Sequence, residues 1–203
     1  MTAAGGAAPR RREAGFTMAE MAVSLAIFCL AMGGLSELLI HNSQINRTEQ
    51  MRTEVQSNAR NCLSMIVATL RSAGWDPRNT GLQAVVLDPL PTDSVNFIEV
   101  LADLNEDGDT DDPNERILIR HINDRIEWRT SSDTSQPYVT LAENITNDSD
   151  GDGVEEAMFV PDSLSHPTRV LVRITARSPS VDPRRGDYLR YTVSSEVVLR
   201  RNL

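Results

Sequence analysis

Over residues 16–40 apolar side chains fill almost every position, and residues 21–36 carry no charge at all. Beyond Ile45 the texture becomes periodic. Met51, Val55, Ala59, Cys62, Ile66 and Leu70 recur at steps of mostly three or four, with Arg47, Glu49, Arg52, Glu54 and Arg60 on the opposite side. An apolar run followed by a single apolar stripe predicts one helix over 16–73, the first half in lipid and the second packed on a domain. Gly74 suits a left-handed C-terminal cap, and Pro77 bars continuation. Gly33-Gly34 is the weakest interior point, since glycine costs about 1 kcal/mol relative to alanine in a helix.

After residue 80 short β-like runs alternate with turn residues, at 84–87, 95–101, 116–122, 125–129, 157–160, 169–177 and 188–200. Asn123-Asp124 reads as a hairpin turn between two of them. In 169–177, Val170, Val172, Ile174 and Ala176 alternate with Arg169, Leu171, Arg173, Thr175 and Arg177, the signature of a sheet with one buried and one solvated face. The fold class expected is α+β: a long N-terminal helix whose amphipathic half packs on an antiparallel β-sheet. The segments are 1–15 as a basic leader, 16–40 as the membrane half, 41–74 as the amphipathic half and 75–203 as a β-rich domain.

Residues 16–40 span roughly 37 Å as a helix at about 1.5 Å per residue, enough for a hydrocarbon core of about 30 Å. Arg10, Arg11 and Arg12 fit retention on the cytoplasmic side, which places the residues after 40 outside. The formal charge is −9; loss of residues 1–15 would remove three arginines and one glutamate and leave −11. An acidic exported domain is a poor direct ligand for nucleic acid, which draws on cationic side chains. Cys29 and Cys62, about 50 Å apart on one helix, could not pair within the chain.

The join between leader and apolar run, Gly15-Phe16, is the most specific feature. An ordinary secretory signal is cut after its apolar core; here the expected cut precedes it, so the mature chain keeps its membrane segment. Glu20 then sits in a stretch bound for lipid, where an ionised carboxylate is costly and calls for a partner. The nearest plausible cation is a new α-amino group at Phe16. Self-pairing is awkward across one helical turn, which makes the terminal amine of a neighbouring subunit the better partner. A single-pass anchor with a snorkelling glutamate is the blander alternative.

The pattern Gly15-Phe16-Thr17-x-x-Glu20 with its apolar run resembles the N-terminus of type IV pilins and type II secretion pseudopilins. Farther on, Leu70-Arg71-Ser72-Ala73-Gly74-Trp75-Asp76, Arg125-Ile126-Glu127-Trp128-Arg129, Leu141-Ala142-Glu143-Asn144-Ile145 and the closing residues from Ser195 to Asn202 look like PilW-type minor pilins, which share a pilin fold with the J-type pseudopilin. The resemblance implies cleavage after Gly15 by prepilin peptidase, methylation of the Phe16 amine, and Glu20 acting in subunit recruitment. It implies other pilin subunits and an inner-membrane assembly platform as partners. The product would be a single-pass precursor in the bacterial inner membrane, then a periplasmic or extracellular filament. Major pilins usually carry a mid-helix proline and often a C-terminal disulfide loop; this chain has neither, which favours a minor subunit. A minor pseudopilin and a membrane-tethered binding domain that never assembles stay open as alternatives.

Two acidic stretches suggest calcium. Asp103, Asn105, Asp107, Asp109 and Asp111 alternate as oxygen ligands with Gly108 in the sixth position, the front half of a calcium loop. The twelfth position is Asn114, with Glu115 one later, so the usual bidentate ligand is missing or displaced. Asp148, Asp150 and Asp152 repeat the idea. Solvated acidic turns are the alternative for both. No enzyme is expected. His41, His121 and His166 are scattered, with His121 and His166 taken as exposed, and no nucleophile elbow, phosphate loop or zinc motif is present. Arg169, Arg173 and Arg177 are expected to form a solvated stripe balancing acidic neighbours.

Overall fold

The computed structural model describes residues 15–87, 96–131, 133 and 135–200. The leader through residue 14, Val95 in the second expected strand, and Arg201-Asn202 of the closing motif lie outside the described residues. The chain divides into two compact units, Met1–Asn46 and Arg47–Leu203. One helix, α1 (Met18–Ser72), supplies residues to both.

In the first unit every residue from 15 to 44 is exposed. Leu25, Ile27, Phe28, Leu30, Leu38 and Leu39 all lie open, and the run is long and apolar enough to cross a membrane. The Ser36 hydroxyl donates back to the Met32 carbonyl at 2.8 Å, so this polar group brings its own partner into the run.

In the second unit the stripe expected from spacing is the buried one: Met51, Val55, Ala59, Cys62, Ile66 and Leu70 are buried, together with Leu63 and Val67. All but Met51 share one core with Ile98, Val100, Ile119 and Ile126, and with Phe159, Val170, Val172, Ile174 and Ala176. Each fully buried Ile or Leu contributes about 1.5–3 kcal/mol. Packing therefore outweighs helix propensity in fixing this half of α1.

The strands form two sheets where one was expected. β1 (Val85–Leu87), β2 (Phe97–Leu101), β3 (Arg116–Ile122), β4 (Arg125–Arg129) and β5 (Val139–Glu143) make an antiparallel meander in sequence order. β6 (Phe159–Pro161), β7 (Arg169–Val181) and β8 (Tyr188–Val198) make the second, also antiparallel. Between them is the isolated bridge Ile145↔Ala176. The chain turns out of the first sheet where Asn144 and Asn147 adopt φ of +58° and +48°, so β6 starts a new ladder. Both inner faces bury against α1, giving the α+β pilin-type arrangement of one long helix on antiparallel sheet.

Several boundaries differ from expectation. α1 begins at Met18 because Thr17 caps it, β7 continues past Arg177 through a register shift before Val181, and β5 carried no clear signal. The Asn123-Asp124 turn is as expected: both residues have positive φ, +50° and +58°, and Ile122 pairs with Arg125, the two-residue type I′ hairpin. His121 is not exposed. It lies on the same face of β3 as Ile119, and its side chain is buried.

Candidate functional site

At the start of α1, Thr17 and Glu20 satisfy one another. The Glu20 N–H donates to Thr17 Oγ1 at 3.2 Å, while Glu20 Oε2 accepts from Thr17 N at 2.8 Å and from its hydroxyl at 2.9 Å. This is a reciprocal capping box, serving backbone N–H groups that a helix start otherwise leaves without partners. Its Thr-x-x-Glu signature was legible in the sequence, yet Glu20 was assigned only to a neighbouring subunit's amine. Gly15 and Phe16 lie just before the cap in non-helical, exposed backbone, with open space around Gly15. Glu37, a second carboxylate in the apolar run, is likewise exposed.

The first acidic stretch is the connection between β2 and β3. Asp103 is buried and commits its two oxygens to the N–H groups of Asp107 (3.2 Å) and Gly108 (3.0 Å). Asp107 and Asp109 each accept an N–H two residues on, at 3.1 and 3.0 Å. Asn105 Nδ2 bridges the carboxylates of Asp107 (3.0 Å) and Asp112 (2.6 Å). Asn114, at φ +73°, turns the chain so that Glu115 is buried. The resulting carboxylate group is Asp107, Asp109, Asp112 and Glu115, with one ligand atom from each within 4.8 Å of the others. Asp103 and Asp111 stand outside it, whereas Asp112 and Glu115 join.

Charge within this loop is unevenly relieved. The Asp109 N–H, followed by the Asn105 amide, holds Asp107 below the ordinary carboxylate range. Asp112 is pushed up, first by partial desolvation and then by the negative charges of Asp107 and Glu115. Arg78 reaches over from the segment after α1 and donates to the Asp107 carbonyl at 2.6 Å. That segment is pinned by Asp76, which accepts N–H bonds from Thr80, Gly81 and Leu82 at 3.0, 2.9 and 3.1 Å and is held low by them, Thr80 first.

In the second stretch Asp148, Asp150 and Asp152 also gather within 4.8 Å. Both Asp148 oxygens are already engaged, by the N–H groups of Gly151 (2.6 Å) and Gly153 (3.2 Å). The Arg190 guanidinium packs directly over Gly151. Asn147 anchors the loop: its buried Oδ1 accepts the Thr175 N–H at 3.1 Å, in the middle of β7.

The arginine stripe on β7 is a neutralised face, as expected. Arg169 pairs with Glu196 (3.4 Å), Arg173 with Glu156 (3.2 Å) and Arg177 with Asp124 (2.7 Å). His121 Nε2 lies 2.8 Å from the Ile145 carbonyl, and Nδ1 lies 3.3 Å from Glu155 without the alignment of a hydrogen bond. His41 and His166 are exposed, and neither carboxylate group among the described residues includes a histidine. Cys62 is free and buried, and burial pushes its thiol up to about 12, so it is unreactive as a nucleophile.

Comparison with curated proteins and with solved structures gave no match. The family model described as the prokaryotic N-terminal methylation motif matches residues 10–36. That span covers the Gly15-Phe16 junction, the capping box and the uncharged run. Such a motif goes with prepilin peptidase processing and with pilin subunits as partners, and it indicates a structural protein rather than an enzyme. With the apolar helix it fits a single-pass membrane-anchored precursor, and it supports a type IV pilin-like or pseudopilin protein.

Proposed function

We propose that this chain is a minor type IV pilin. It is cleaved after Gly15, methylated on the Phe16 amine, held in the inner membrane by α1, and drawn into a pilus or its initiation and tip complex. The observation that carries the reading is the open, largely apolar surface of residues 18–40 beneath a methylation motif. An apolar surface this long needs lipid before assembly and neighbouring helices after it. Glu20 supplies direction: its Oε2 holds the cap, and the carboxylate charge attracts the new amine of an adjacent subunit. Pairing neutralises two charges that lipid disfavours.

Mass spectrometry of the protein from sheared surface filaments tests this. The expected result is a mature chain starting at N-methylated Phe16 and present in substoichiometric amount beside a major pilin. Retention of residues 1–15, or loss of the apolar helix, would overturn the reading. Deletion separates the two filament classes: lost piliation with intact protein secretion supports a pilus subunit, and the converse supports a pseudopilin.

A further inference from the structure

We propose that the β2–β3 connection binds one Ca²⁺ ion through Asp107, Asp109, Asp112 and Glu115. This inference is independent of filament assembly. Oxygens that ligate one Ca²⁺ at about 2.4 Å lie up to about 4.8 Å apart, and these four carboxylates each bring an oxygen within 4.8 Å of the others.

Glu115 is the second and independent observation. It is 2% exposed, and its Oε1 accepts the N–H groups of Leu104 (2.7 Å) and Asn105 (2.9 Å). Its Oε2 is buried and has no hydrogen-bond partner among the described residues. A buried carboxylate oxygen without a partner is strongly disfavoured, and a cation among the other three carboxylates supplies what it lacks.

An all-oxygen set on a turn-rich loop selects a hard cation of flexible coordination. Mg²⁺ demands near-octahedral geometry at about 2.0–2.1 Å and keeps its waters, which favours Ca²⁺ here. The ion would brace the end of the hairpin, because the Glu115 carbonyl accepts the Ala102 N–H at 2.9 Å just beyond the β2–β3 ladder. The Asp148 loop does not share this argument. Both Asp148 oxygens are engaged by backbone, and Arg190 already brings positive charge beside Gly151.

Isothermal titration calorimetry with CaCl₂ on the EDTA-treated full chain in detergent is the test. One ion per chain is expected, with a Kd of about 10⁻⁴–10⁻³ M as in extracellular modules, and weaker binding of MgCl₂. Asp112 is exposed, so Asp112→Asn should keep its circular dichroism spectrum and lose affinity about tenfold or more. Glu115→Gln should do the same, while the double variant Asp150→Asn, Asp152→Asn should bind like wild type. No saturable calcium heat in the wild type, unchanged affinity in Asp112→Asn, or loss of the ion in the Asp150/Asp152 variant would each overturn the proposal.

Discussion

Gly74 and Ala84 approach so closely that a methyl group added to Gly74 would stand 2.9 Å from the Ala84 Cβ, and 3.0 Å from the Arg200 carbonyl oxygen. The glycine is left-handed, at φ +72°, and its N–H donates to the Leu101 carbonyl at 2.8 Å. The end of α1, the residue before β1, the end of β2 and the chain just after β8 therefore converge on one atom-sized space. Arg200 closes it from outside by stacking on Trp75, its guanidinium carbon 4.8 Å from the ring centroid.

Gly74→Ala should accordingly cost about 1–3 kcal/mol, from positive φ and overpacking together. Thermal unfolding of the full chain in detergent should then show a Tm lowered by several degrees, at about 2–4 °C per kcal/mol for a domain of this size class. An unchanged Tm would mean that the cap relaxes freely.

Much of this arrangement was legible from periodicity. The stripe from Met51 to Leu70, the strand 116–122, the type I′ turn and the inward face of β7 all follow from spacing and turn chemistry. β5 was missed because its five residues bury little beyond Ala142, and a bulge at Ile126/Glu127 disturbs its register with β4. The division into two sheets depends on β5 and β6 not pairing although they are consecutive, because the chain turns away at Asn144 and Asn147, and strand periodicity alone does not encode that break. His121 illustrates a subtler loss. It shares the parity of Ile119 on β3, so alternation marks it as inward-facing, against the exposure expected of it from its polar identity. The calcium-loop spacing takes Asp103 and Asp111 by template, whereas the carboxylates that gather are Asp107, Asp109, Asp112 and Glu115, the last turned inward after the left-handed Asn114.

Asp162 makes acid stability testable. Its carboxylate accepts the Thr168 hydroxyl and the N–H groups of Thr168 (2.8 Å) and Arg169 (3.1 Å), tying off the β6–β7 connection. Led by the Thr168 hydroxyl, these bonds pull the carboxyl down to about 2 from 3.8. A folded pKa below the unfolded one contributes stability in full above about pH 4, lost as pH falls through the folded value near 2. Asp162→Asn should therefore lower the Tm at neutral pH and flatten its decline between about pH 4 and 2. Asp76 and Asp182, also held low by backbone N–H bonds, would keep part of the slope. A variant whose pH profile parallels wild type would assign the slope to those other carboxylates.

The capping box at the head of α1 gives Glu20 two roles that substitution can separate. Its Oε2 holds the Thr17 N–H and hydroxyl, a task that glutamine also performs in capping boxes. Attraction of a neighbouring amine needs the negative charge, which glutamine lacks. On the proposed assembly role, Glu20→Gln and Glu20→Ala should both insert into the membrane, since removing a carboxylate from a lipid-bound stretch eases insertion. Both should then be missing from sheared filaments by immunoblot. Thr17→Val removes the hydroxyl and with it two of the three cap bonds, yet leaves the charge, so it should still enter filaments. Normal entry of Glu20→Gln, with exclusion of Thr17→Val, would make the carboxylate a helix cap and leave the charge-pairing account without support.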